Sequence, residues 1–254
     1  MRNFGKILKV LFGGMIIAGF LVPVLLLAQA NAERGICARL STLSSKIDER
    51  FTNFNSKLEA RRNEISNRIE TRQNEFDARL AEKRARWDAN REEHFAKLEE
   101  KAQTDAQKQA LLTFREAVTA AISARRAAID TANQNFREGV QSAINSRKLA
   151  VDTAITTFRN SIKAAFDKAN SDCQTGVDPK TVRENLRTDL KAARDKFVSD
   201  RQEIEKLKIQ MEPLINTRKE AIKKAIDDFK AAIEKAKTDF KAAFPTSSTS
   251  TPAE

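Results

Sequence analysis

Apolar positions between Phe114 and Phe166 return on a schedule: "FRE" at 114 comes back at 136, and "FRN" follows at 158. Cut every 11 residues, the stretch gives five aligned rows: FREAVTAAISA, RRAAIDTANQN, FREGVQSAINS, RKLAVDTAITT and FRNSIKAAFDK. The first position alternates Phe and Arg. The second is always basic: Arg115, Arg126, Arg137, Lys148, Arg159. The fourth is small (Ala117, Ala128, Gly139, Ala150, Ser161), the fifth is β-branched, and the eighth is Ala throughout. The ninth is large and apolar, except at Asn133. Eleven residues make three turns at about 3.67 per turn, so a helix with this period keeps one face on a neighbour over a long distance. Positions 4, 8, 1, 5 and 9 are adjacent on such a helix and form one broad apolar stripe.

The preceding segment keeps the period in other residues. From Leu40 the rows are LSTLSSKIDER, FTNFNSKLEAR, RNEISNRIETR, QNEFDARLAEK, RARWDANREEH and FAKLEEKAQTD. Their fourth column is Leu43, Phe54, Ile65, Phe76, Trp87 and Leu98; their eighth begins Ile47, Leu58, Ile69, Leu80. These ten residues predict a narrow coiled-coil seam. One flank is basic (Lys46, Lys57, Arg68, Arg79; Arg50, Arg61, Arg72, Lys83) and the other acidic (Asp48, Glu59, Glu70, Glu92). Sorting charge by sign on either side of a seam selects a partner and its direction. A third segment, Arg218 to Phe244, repeats the basic second column, the Ala fourth column and the Ile or Phe fifth column, which internal duplication explains.

Two breaks divide the pattern. In EEKAQTDAQKQ the apolar spacing lapses, and Thr104 or Asp105 can cap a new helix. In NSDCQTGVDPKTVREN, Gly176 can end one helix, Asp178 can cap the next, and Pro179 suits its first position. Pro213 falls inside the last periodic segment. Met211 and Ile222, and Ile215 and Ile226, stay 11 apart across it, which favours a kinked helix over a turn into a fourth, shorter one. The expected fold is all-α: an elongated antiparallel bundle of three long helices, up-down-up, over about 36–103, 106–171 and 179–244. The second helix has the broadest stripe and should touch both others. Cys37 lies 67 residues before Thr104 and Cys173 lies 69 after it, so a hairpin turning there brings the two thiols together as a disulfide.

Composition agrees with long helices: 254 residues carry only 7 Gly and 5 Pro, with 32% charged. Residues 1–32 form a separate object, a basic start, a 19-residue apolar run and small residues at A-x-A spacing. They read as a signal peptide cut after Ala30 or Ala32, or as a retained membrane anchor through residues 10–28. The chain is thus expected outside the cytoplasm: secreted, periplasmic or on the cell surface. An oxidising compartment suits the disulfide. The tail, 245–254, is low in complexity and expected to be disordered. Without the three basic residues of the leader, 43 basic residues face 35 acidic ones.

Candidate chemistry is sparse. The one histidine, His94, falls in an otherwise basic column and reads as a surface charge. There is no H-E-x-x-H, phosphate-cradling glycine loop or nucleophile elbow, so no catalysis, cofactor or metal is expected. The column Arg115, Arg126, Arg137, Lys148 and Arg159 could bind an anionic polymer, while export and the lack of aromatic interleaving argue against nucleic acid as the partner. In period alone, the 11-residue repeats across Leu40 to Phe244 resemble those of exchangeable apolipoproteins, which implies a lipid-surface alternative. In signal peptide, basic charge and long helical arms, the chain is also similar to the periplasmic chaperones with tentacle-shaped coiled coils. Those are trimers with an oligomerising β-body, and no strand-rich segment here could build one. The reading of first choice is a structural, scaffolding or interaction protein of the cell envelope that binds a protein partner or itself through its helices; a holdase-type chaperone is second.

Overall fold

The computed structural model describes residues 35–206 and 211–243. The leader at 1–32 and the tail at 245–254 lie outside them. The described chain is all-α. A 3₁₀ turn, Ile36–Arg39, leads into α1 (Leu40–Glu99), followed by α2 (Asp105–Gln174), α3 (Pro179–Lys206) and α4 (Met211–Ala242). Among the described residues no helix is long and apolar enough to cross a membrane.

Local chemistry sets the ends. At the start of α2 the Gln107 N–H donates to Thr104 Oγ1 at 3.2 Å, while Gln107 Oε1 accepts from the Thr104 and Gln103 N–H groups, a reciprocal capping box. At the end of α2, Gly176 takes φ +80°, a conformation glycine reaches without steric cost. The Val177 N–H then donates to the Asp172 carbonyl at 2.9 Å and the Gly176 N–H to that of Cys173, closing a Schellman motif. Two residues on, Asp178 Oδ2 accepts from the Lys180 and Thr181 N–H groups, and Pro179 opens α3. The span 179–244, expected as a third helix kinked or broken near Pro213, holds the two described helices α3 and α4 on either side of residues 207–210, which lie outside the description. Pro213 is the third residue of α4. Its missing N–H there costs no intrahelical bond.

The chain divides into two compact units. The first comprises residues 35–70 and 143–206 among those described. Its core is apolar and draws on three segments, with Leu40, Phe51 and Val182 almost wholly buried. Phe158 on α2 sits between Phe51 of α1, edge-on at 5.8 Å, and Phe197 of α3, stacked at 4.7 Å. The contacts Cys37–Cys173, Asp48–Arg159 and Arg62–Asp152 advance along α1 as they retreat along α2, so the two run antiparallel. Cys37 and Cys173 lie at disulfide distance, with Cα atoms 5.8 Å apart.

The second unit comprises residues 71–142 and 211–243. Its core is thinner and alanine-rich, with Ala121, Ala132, Ala225 and Ala236 buried alongside Phe95, Leu111, Phe136 and Val140. Phe114 of α2 touches both Phe95 of α1 and Phe240 of α4. Small residues in the fourth column of α2 allow close approach: a Cβ added at Gly139 would meet Leu214 Cδ2 of α4 at 2.6 Å. The eighth-column alanines of α2, from Ala121 to Ala165, are buried in both units.

Two predictions follow from the first unit. Phe158→Ala removes the ring shared by three segments and should lower stability by about 3 to 5 kcal/mol, read from urea unfolding followed by circular dichroism. The cysteines are 136 residues apart, so reduction should cost roughly 4 to 5 kcal/mol in the loop-entropy picture. Peptide mapping without reductant should recover the bridged pair.

Candidate interaction surface

The second column of α2 meets carboxylates of α1. In the second unit, Arg115 donates to Glu92. Arg126 grips Asp88 with two hydrogen bonds of 2.9 and 2.7 Å, and Arg137 grips Asp77 at 2.9 and 2.6 Å. In the first unit, Arg159 donates to Asp48 at 3.0 Å, while Lys148 is exposed. A fork-to-fork pair fixes direction as well as charge. Four of the five residues considered for polymer binding therefore have an internal anion as first partner. Asp77 and Asp88 were not among the acidic residues picked from the sequence. They occupy the fifth column of α1, beside the ninth, and an Asp next to the aromatic fourth position was their only signal.

Column one of α1 was missed as well. It reads Leu40, Phe51, Arg62, Gln73, Arg84, Phe95. Its apolar members are buried at 0, 1 and 4% exposure. Its arginines reach carboxylates on α2: Arg62 donates to Asp152 at 2.7 Å in the first unit, and Arg84 grips Asp130 at 2.9 and 2.7 Å in the second. Arginines set among the apolar residues of one column hide a seam from a reading that looks only for continuous apolar positions. α2 shows the same device in its own first column, where Arg125 lies over the Phe229 ring at 3.9 Å. Asn133, the exception in the ninth column, is buried and accepts from Arg218 Nε at 2.8 Å. That guanidinium also covers the Phe136 ring.

The expected seam splits by unit. In the first, Leu43, Ile47 and Leu58 are buried and Phe54, Ile65 and Ile69 half-buried. In the second, Leu80 and Leu98 are half-buried, but Phe76 and Trp87 are exposed at 39 and 52%. The exposed large apolar residues of the second unit also include Ile215 and Ile226 of α4. An open cleft of about 350 Å³ lies among Asp77, Leu80, Asp130 and Arg137. Its charged walls already pair as Asp77–Arg137 and Asp130–Arg84, so it offers amides and a leucine rather than an activated nucleophile. His94 is exposed. Among the described residues, no three His, Cys, Asp or Glu side chains converge to hold a metal ion.

Electrostatics follow the pairing. The Arg126 hydrogen bond, with that of Arg91, holds the Asp88 carboxyl down at about 2, and Arg137 lowers Asp77 in the same way. Burial lowers Arg218 and Arg125, with neighbouring guanidinium charges adding to the effect. Comparison with protein families, with curated proteins and with solved structures finds no match for this chain.

A carboxyl held below its unfolded value, near 3.9, contributes stability that is full above that value and lost as pH falls through the folded one. The Asp88 contribution should therefore fade between about pH 4 and about pH 2. In urea unfolding, Asp88→Asn should be less stable than the parent at pH 6, and the two should converge near pH 2.

Proposed function

We propose that the chain is an exported, non-catalytic coiled-coil protein of the cell envelope with a structural, scaffolding or interaction role. On this reading it is an antiparallel bundle of three helical arms, up-down-up, built on 11-residue repeats, with α3 and α4 together forming the third arm. The leader either is cleaved or tethers the protein to the membrane. The observation that carries the reading is the use of the long inward faces of α1 and α2. Their apolar columns and fitted Arg–carboxylate pairs recur over helices of 60 and 70 residues. Such helices supply length and side-chain surface, whereas a reaction centre needs a concave site with convergent groups. Anionic-polymer or lipid-surface binding through the basic columns is a weaker reading, because carboxylates of α1 already occupy most of the second column of α2.

A second reading, a holdase-type chaperone, draws support from exposed Phe76, Trp87, Ile215 and Ile226, since apolar surface left open is what an unfolded client would seek. Light scattering coupled to small-angle X-ray scattering on the oxidised protein separates the two. The scaffold reading expects a monomeric rod of about 100 Å, the length of a helix of this size at 1.5 Å per residue. A trimer with splayed arms would put the chaperone first. N-terminal sequencing of the exported protein should find a start at Asn31 or Glu33 if the leader is cut; an intact Met1 would mean a retained anchor.

A further inference from the structure

We infer that the exposed apolar face of the second unit is a docking surface for an acidic amphipathic helix of a protein partner. The inference deepens the interaction-protein reading and rests on it. Phe76 and Trp87 are 11 residues apart on α1, so they sit within about 20° of each other around the helix and about 16 Å apart along it. Ile215 and Ile226 are related in the same way on α4. The two rows lie at matching levels of α2. Phe76 precedes Asp77, which grips Arg137, and Ile215 follows Leu214, which packs on Gly139. Trp87 precedes Asp88, which binds Arg126, and Ile226 lies one turn before Phe229, under Arg125. All four side chains are 37 to 52% exposed. A third helix offering apolar residues at the same spacing matches this pattern, which is how amphipathic helices seat in grooves.

Charge selects the occupant. On a helix, the neighbours three and four residues away surround a side chain. For these four apolar residues that makes sixteen positions, of which nine are basic and one, Glu212, is acidic. The whole chain has 46 basic and 35 acidic residues, so the surplus is concentrated here. Several of the nine have partners within the unit, such as Arg84 with Asp130 and Arg91 with Asp88. Arg72, Lys83, Lys219 and Lys223 are exposed. The acidic flank of α1 is turned to the arginines of α2, which leaves its basic flank beside the open aromatic row. An occupant with carboxylates along both edges of an apolar stripe complements that surface. A second copy of this chain would bring the same cations face to face, which opposes isologous pairing.

Trp87 is the only tryptophan, so its emission reports the face directly. The test titrates the oxidised full chain with a 22-residue synthetic helix carrying Leu in an 11-residue pattern and Glu on both flanks; the control peptide has Lys in place of Glu. Expected is a saturable blue shift with the Glu peptide and about tenfold weaker binding of the Lys peptide. Phe76→Ser with Ile226→Ser should cut affinity for the Glu peptide by about tenfold while leaving the thermal melt near that of the parent, because both residues are exposed. Lys83→Glu with Lys219→Glu should narrow or abolish the preference for the Glu peptide. Equal binding of both peptides, or none, overturns the inference. So does a blue shift that grows with protein concentration alone, which would assign the face to a second copy, or one produced by anionic vesicles and by neither peptide, which would assign it to lipid. A monomeric rod in scattering with no peptide binding would discard this inference and leave the scaffold reading standing.

Discussion

Pairing between arginines and carboxylates across α1 and α2, in both directions, is the constraint on which the packing of these two helices depends. An apolar pattern that repeats every 11 residues fits its neighbour equally well after a shift of 11, so hydrophobicity alone does not choose a register. The polar members of the columns do. Arg62 and Arg84 interrupt column one of α1 and find Asp152 and Asp130 across the interface. A shift of 11 in one direction would set Phe51 and Gln73 in place of Arg62 and Arg84, and in the other it would set Gln73 and Phe95 there, so either shift leaves both carboxylates without an arginine. Each exposed pair is worth only about 0.2 to 1 kcal/mol, so the set contributes less to bulk stability than to choosing one arrangement. A polar residue at a seam position specifies register in coiled coils by the same logic.

The two units meet this constraint with different cores. The first has an apolar core of branched and aromatic side chains, centred on Phe158, beside the cysteine pair. The second replaces much of that with alanine, guanidinium–ring contacts and bidentate ion pairs. Alanine lets helices approach closely but buries little area, so larger apolar residues at the flanks are left half-covered. Exposure of Phe76 and Trp87 in the second unit is thus a consequence of how its core is built. What is stability in one unit becomes available surface in the other.

Much of the fold was legible in the sequence, because helix ends and helix faces are written in local chemistry. Thr104, Gly176, Asp178 and Pro179 each do at the chain turns what their side chains and backbone preferences dictate. The cysteine pair followed from counting residues on either side of Thr104. Column one of α1 was not legible, since two arginines and a glutamine interrupt its apolar residues and only a partner's aspartate makes an arginine a seam residue. Nor could the pattern foretell that Phe76 and Trp87, in the same column as buried Leu43, would be open; burial depends on the bulk of the neighbours they meet. The pattern left open whether the third segment is kinked or broken near Pro213, because a proline in a first turn and one in a helix interior look alike along the chain.

Reversing one pair and then both tests the register account most directly. Asp77 and Arg137 suit it, since each has only uncharged neighbours three and four residues away on its own helix. Asp77→Arg and Arg137→Asp should each lower stability in urea unfolding, and the double variant should recover most of the loss, with a coupling of about 0.5 to 3 kcal/mol. Losses that simply add in the double variant would contradict the claim that carboxylate–arginine pairing holds α1 on α2.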